Sequence, residues 1–140
     1  MPTSRISGFP KFTAALLLCL AGCVMQPAND TALESRLLGK WSASRYIGSG
    51  TREQSIDLRP DGTFVIAGVL RNVQGASSFH ASGSWLVRDG YLTFKIAQSD
   101  GPGDFTQIER RARIVSISDW ELVTTDGDTA REQRAWRYPK

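Results

Sequence analysis

Three of the chain's Asp-Gly pairs, Asp61-Gly62, Asp89-Gly90 and Asp126-Gly127, each stand between two runs in which apolar and polar residues alternate. No other feature limits the fold as much. Asp and Gly tolerate the backbone angles of tight hairpin turns, so each pair joins antiparallel neighbours. The alternation around them predicts strands at Lys40–Ile47, Gln54–Leu58, Thr63–Leu70, Phe79–Val87, Tyr91–Ala97, Phe105–Ile117, Trp120–Thr125 and Arg131–Tyr138. Phe105–Ile117 is either one long strand or two joined by a bulge. Gly48-Ser49-Gly50 reads as a turn, and Asn72–Ala76 and Asp100–Asp104 read as loops. About eight strands, with turns every 8–12 residues or so, imply an all-β antiparallel barrel or sandwich.

One helix precedes the strands. Asp30 is placed to cap Thr31–Leu38, Glu34 falls in the first turn, and Gly39 follows the last apolar pair. Leu33, Leu37 and Leu38 share one face. Both cysteines, Cys19 and Cys23, lie near the amino terminus. The strand region therefore has no disulfide and must rest on its hydrophobic core. Its side chains suffice: Trp41, Trp85, Trp120 and Trp136 lie there, with Phe64, Phe79, Phe94 and Phe105.

The segment before the helix has its own pattern. Arg5 and Lys11 lead an apolar run, Phe12–Leu20, that ends in Leu20-Ala21-Gly22-Cys23. A nine-residue run, apolar except for Thr13, suits a secretory signal, and a bilayer span needs about 20. The order resembles the signal peptide and lipobox of bacterial lipoproteins. That resemblance implies cleavage before Cys23, a diacylglycerol on its thiol and an acylated new amino terminus, the acyl chains typically palmitate. Cys19 is a poor competing acceptor, because Leu16-Leu17-Leu18 precede it with no small residue. The other reading is an ordinary secreted protein cut near Ala21 or Gly22. Val24 and Met25 follow the cysteine where an aspartate would favour the inner membrane, so the family pattern implies the outer membrane, facing the periplasm. The expected division is 1–22 signal peptide, 23–29 lipidated tether and 30–140 barrel domain. Removing the first 22 of 140 residues leaves 15 Lys plus Arg against 14 Asp plus Glu. No basic field remains for nucleic acid.

From Gly39-Lys40-Trp41 onward the chain resembles lipocalins and the short lipocalin-like domains of bacterial lipoproteins. Their first strand opens with Gly-x-Trp after a short helix. The likeness continues through Asp61-Gly62-Thr63-Phe64, Gly83-Ser84-Trp85 and Asp89-Gly90-Tyr91-Leu92. It implies that Arg137, near the end of the last strand, packs over Trp41 at the closed end of a barrel. The chain is short for that family and lacks its late flanking helix. The interior is thus either a ligand cavity or a space filled by its own side chains.

Few residues invite catalysis. His80, the single histidine, alternates with Ser82 and Ser84 on the face opposite Trp85, toward solvent. No Gly-x-Ser-x-Gly turn is present. Asp126-Gly127-Asp128 lacks the spacing of a calcium loop. Neither enzymatic activity, a metal nor a cofactor is expected. Charge on an inward phase is more informative. If Ile114 points inward so does Arg110, and if Trp136 does so does Arg134. Either a bulge or a rim position explains these arginines, or they are interior cations suited to an acidic headgroup. With Phe64, Trp85 and Phe94 they form the expected ligand site, although core packing is the simpler role for those three aromatics. The expected function is binding of a small apolar or amphipathic ligand. The alternatives are an envelope interaction or structural module with a filled barrel, and an inhibitor of a cell-wall-degrading enzyme.

Overall fold

The computed structural model describes residues 27–101, 109–127 and 129–138. The signal segment, Cys23 and the first part of the Phe105–Ile117 run lie outside these. Helix α1 (Pro27–Leu37) is followed by β1 (Gly39–Tyr46), β2 (Gly50–Leu58), β3 (Thr63–Asn72), β4 (Gly75–Arg88), β5 (Tyr91–Asp100), β6 (Glu109–Ile117), β7 (Glu121–Asp126) and β8 (Glu132–Arg137). Every strand pairs antiparallel with the next, and β8 returns to β1 to close the barrel. Of the barrel and the sandwich that the alternation left open, the chain forms the closed barrel, with the short leading helix that the family resemblance also implied.

Period-two patterning sorts the side chains. Trp41, Leu58, Phe64, Phe79 and Leu37 are almost wholly buried, and each such side chain stabilises by roughly 1.5–3 kcal/mol relative to exposure. Two irregularities preserve this phase. Between β4 and β5 the register shifts at Ser82/Gly83, and between β6 and β7 it shifts at Ile114/Ser116. The second skips Val115, the bulge expected in the long run, and it lies beyond Arg110. Gly68 on β3 faces Phe79 of β4. A Cβ there would overlap the Phe79 ring and the Glu53 carbonyl oxygen, so only glycine admits that ring to the interior.

The hairpins carry the turn chemistry. Arg88 pairs with Tyr91, and Asp89 and Gly90 have φ of +54° and +76°, as a type I′ turn requires. The stretch Asn72–Ala76 is tighter than the loop expected. β3 and β4 stay paired up to Asn72 and Gly75, leaving Val73 and Gln74 as the connection, and the Asn72 side chain accepts a bond from the Gln74 amide at 2.9 Å. Asp61 accepts from both the hydroxyl and the amide of Thr63, at 2.6 and 2.9 Å. The Thr63 hydroxyl, then its amide, hold the Asp61 carboxyl below its ordinary value of 3.8. A depressed folded-state value stabilises above the ordinary pKa and is lost as pH falls through the depressed one. Asp61→Asn should therefore flatten the acid limb of the stability profile between the ordinary value of 3.8 and the depressed one, as thermal melts of both proteins would read.

Helix α1 begins at Pro27, earlier than Thr31, since proline is compatible with the first turn of a helix. Asp30 is consequently inside the first turn and is not the N-cap. Its carboxylate instead accepts the Asp89 and Gly90 amides at 2.8 and 3.1 Å, while Glu34 accepts the Val87 amide at 3.1 Å. Two acids thus dock the helix on the β4–β5 hairpin. Asp30→Ala should cost about 1–2 kcal/mol, the low end for a charge-assisted pair of bonds, measured by denaturant unfolding.

The carboxyl end of α1 meets the barrel seam. Trp41 donates its indole N–H to the Leu37 carbonyl at 2.7 Å. The Arg137 guanidinium lies 4.3 Å from the Trp41 ring centroid and donates to the carbonyls of Leu38 (2.6 Å), Arg36 (2.5 Å) and Asp119 (2.9 Å). This one side chain satisfies carbonyls left over at the helix end and stacks on the first tryptophan. The seam itself is short: Trp41 pairs with Arg137 and Ser42 with Trp136. The helix, this cluster and the β2–β3, β4–β5 and β6–β7 connections close one end of the barrel.

Candidate ligand cavity

At the other end the barrel holds a cavity of about 710 Å³. Its depth follows from strand register. Leu58, Phe64, Trp41 and Trp85 form the floor at the closed end. Above them, Ile56, Ile66, Phe94, Ile96 and Leu122 make apolar walls, with Gln54, Thr124 and Gln133 interspersed. Nearest the mouth come Arg45, Arg52 and Arg110, with Asp126 across from them. The cavity is therefore polar and cationic at the top and apolar below.

Register explains the cations. Arg45 and Arg52 are direct cross-strand partners on one face of β1 and β2. Like charges placed so are destabilising by themselves, and together they make a positive field at the mouth. Arg52 is 7% exposed, and its guanidinium lies 4.4 Å from the Phe79 ring centroid. Arg110 pairs with Phe94 across β5 and β6. The Nε atoms of Arg52 and Arg110 are both buried. β7 pairs with β6 only from Ala112 onward, at Asp126, so Glu109–Arg111 continue past the end of β7 and border the opening.

The six residues expected to bind ligand do not come together. Phe94 and Arg110 line the cavity as expected. Phe64 and Trp85 belong to the floor. Phe64 is 1% exposed and meets Phe94 edge-on at 4.9 Å, and Trp85 donates its indole N–H to the Arg59 carbonyl at 3.1 Å. Their role is packing. Trp136 was expected inside and is outside, while Arg134 borders the cavity with its guanidinium turned to carboxylates on the outer face. Trp136 is 41% exposed. Arg134 bonds Glu121 at 3.1 Å and Glu132 at 3.5 Å, and the pairing with Glu121 raises its pKa first, then the charge of Glu132. The physical reason is parity. Arg137 must face inward to stack on Trp41, so Gln133 and Ala135 share its face and Arg134 and Trp136 take the other.

Arg52 is the residue the sequence reading missed. The expected second strand began at Gln54, whereas β2 begins at Gly50. Extending the Leu58-Ile56-Gln54 phase back by two positions finds it. His80 is on the outer surface, as expected, with its amide and its Nδ1 on one oxygen of Asp100, at 2.9 and 3.3 Å. Among the described residues no three His, Cys, Asp or Glu side chains are grouped to hold a metal ion. The chain matches no protein-family model and no curated protein.

Proposed function

We propose that this protein is a non-enzymatic binding protein of the bacterial envelope, anchored through lipid on Cys23, that holds a small acidic amphipath in its barrel. The observation that carries this is the layering of the cavity: guanidinium groups of Arg52 and Arg110 above apolar walls in about 710 Å³. Small-molecule sites usually exceed about 300 Å³, and that volume supports a ligand over a filled barrel. A carboxylate pairs with planar guanidinium groups through charge-assisted bonds. An alkyl chain below them replaces water on Ile56, Ile66, Phe94 and Leu122.

Depth sets the chain length. Arg52 and Leu58 are six positions apart on β2, about 20 Å along the strand and about 15 Å along a barrel axis tilted by roughly 40°. The Leu58 side chain occupies the bottom of that distance. A saturated chain of roughly ten carbons fills the rest. Decanoate should therefore bind better than palmitate. It should also bind about 100–10,000-fold tighter than decanol, the margin of two charge-assisted interactions, one for each arginine. Titration of both, read by the emission of Trp41 and Trp85 beneath the cavity, tests this. Equal affinities for acid and alcohol would remove the arginines from the site.

Anchoring is tested separately. Cys23→Ser should give uncleaved precursor or soluble protein. Mature-size Cys23→Ser protein in the membrane fraction would sink the lipid anchor.

A further inference from the structure

The four tryptophans divide in two. Trp41 and Trp85 are buried at 1% and 7% exposure, whereas Trp120 and Trp136 are 62% and 41% exposed. The exposed pair shares one corner with Tyr138, itself 50% exposed. Backbone bonds hold them together: the Arg137 amide donates to the Trp120 carbonyl at 2.9 Å and the Tyr138 amide to the Lys40 carbonyl at 3.0 Å. The corner belongs to the closed end. Trp120 is in the β6–β7 connection, and Trp136 and Tyr138 finish the β8 side of the seam on its outer face. A hollow of about 580 Å³ adjoins it on the outside of the barrel, bordered by Tyr138, Lys40 and Arg59.

Exposed aromatics with a polar edge, beside basic side chains, have a natural solvent. Trp and Tyr place their rings at the headgroup level of a bilayer and keep their N–H or O–H in water. Lys and Arg accompany them by laying their alkyl stems along the same boundary. The chain supplies a second, independent constraint. α1 crosses the closed end from the β4–β5 hairpin, which Asp30 holds, to the seam, which Arg137 holds. Cys23 is four residues before Pro27, and four residues span at most about 14 Å. A lipid on Cys23 therefore tethers the protein at one side of the closed end. The aromatic corner lies at the other end of α1, whose 11 residues extend about 16 Å.

We infer that the closed end of the barrel is a membrane-apposed face, with Trp120, Trp136 and Tyr138 seated in the headgroup region of the bilayer that holds Cys23. This rests on the lipid-anchor reading above. Two attachment points on one face fix the tilt of the barrel, which a single flexible tether does not. The cavity mouth, with Arg45, Arg52 and Arg110, then points away from the anchoring bilayer. Ligand enters from the aqueous side, not from that leaflet.

The test uses the full, lipidated protein in vesicles of phosphatidylethanolamine and phosphatidylglycerol whose acyl chains carry bromine, a short-range quencher of tryptophan. The wild-type protein should lose emission relative to unbrominated vesicles, and Trp120→Phe/Trp136→Phe should abolish that loss, because Trp41 and Trp85 are inside the barrel. Val73, in the β3–β4 turn beside the mouth, is fully exposed. Val73→Trp in the double-variant background should stay unquenched. Vesicle-bound wild-type protein quenched no more than the double variant would overturn the inference, as would quenching at position 73. Protection of Trp120 from aqueous acrylamide without bromine quenching would assign the corner to a second copy of the chain and overturn it too. Wild-type protein that fails to stay with the vesicles would fail the anchor reading and this inference together; bound protein without quenching fails the inference alone.

Discussion

Trp41→Ala is expected to lower stability by about 3–5 kcal/mol, the usual range for truncating a buried aromatic residue. In a domain of this size that is a large share of a total of about 5–15 kcal/mol. The ring is 1% exposed, and its indole N–H and its π face each have one partner, the Leu37 carbonyl and the Arg137 guanidinium. Removing it opens a cavity at the closed end and strands the helix terminus. The coupling with Arg137 is the sharper measurement. A guanidinium stacked on a tryptophan contributes roughly 0.5–2 kcal/mol beyond area burial. In the cycle of Trp41→Leu, Arg137→Met and the double variant, measured by denaturant unfolding, an interaction energy in that range is expected. Arg137→Lys keeps the charge but has no fork to reach the carbonyls of Arg36, Leu38 and Asp119 together. Strict additivity would show that the stack contributes nothing and that Arg137 acts only on the carbonyls.

The same arginine marks how far the sequence could be read. Asp-Gly turns and alternation located the eight strands, and the helical spacing of Leu33 and Leu37 located the helix to within about a turn at its start, because these are local signals. The interior was legible only where phase was anchored. Ile114 set the phase of β6, and the bulge at Val115 comes too late in the strand to disturb Arg110. In β8 two anchors conflicted. Trp136 is the larger apolar residue and suggests one phase, whereas Arg137 over Trp41 requires the other, and adjacent residues on a strand cannot both face inward. Tertiary stacking decided for the charged residue, which burial rules alone rank last. Arg52 was lost for another reason. Gly50-Thr51-Arg52-Glu53 looks like the tail of a polar turn, and only pairing with Leu70 on β3 and Arg45 on β1 makes it a wall residue. The docking of α1 was illegible too, since the partners of Asp30 are backbone amides almost 60 residues away.

Loss of the acid-binding layer should be the largest functional effect. Arg52→Met and Arg110→Met are each expected to weaken decanoate binding about 10–100-fold, one charge-assisted interaction apiece. Methionine keeps most of the aliphatic volume, and exchanging an interior cation for an apolar residue of similar size is often neutral for stability. Arg52→Met gives up its stack on Phe79, which bounds the stability loss at about 0.5–2 kcal/mol. Folding and binding should therefore separate: melts close to wild type, binding much weaker. The double variant should bind decanoate no better than decanol, since what remains is the apolar wall that both ligands share. Arg71→Met is the control. Arg71 pairs with Glu53 at 3.6 Å on the outer surface of β2 and β3, and the variant's affinity for decanoate should be unchanged. If Arg71→Met weakened binding as much as Arg52→Met, the acid would be held on the outside of the barrel, and the cavity would lose its claim to it. Lowering pH supplies an independent arm. Below the ordinary carboxylic range the ligand becomes neutral, so wild-type affinity should fall toward that of the double variant, whose own affinity should not weaken.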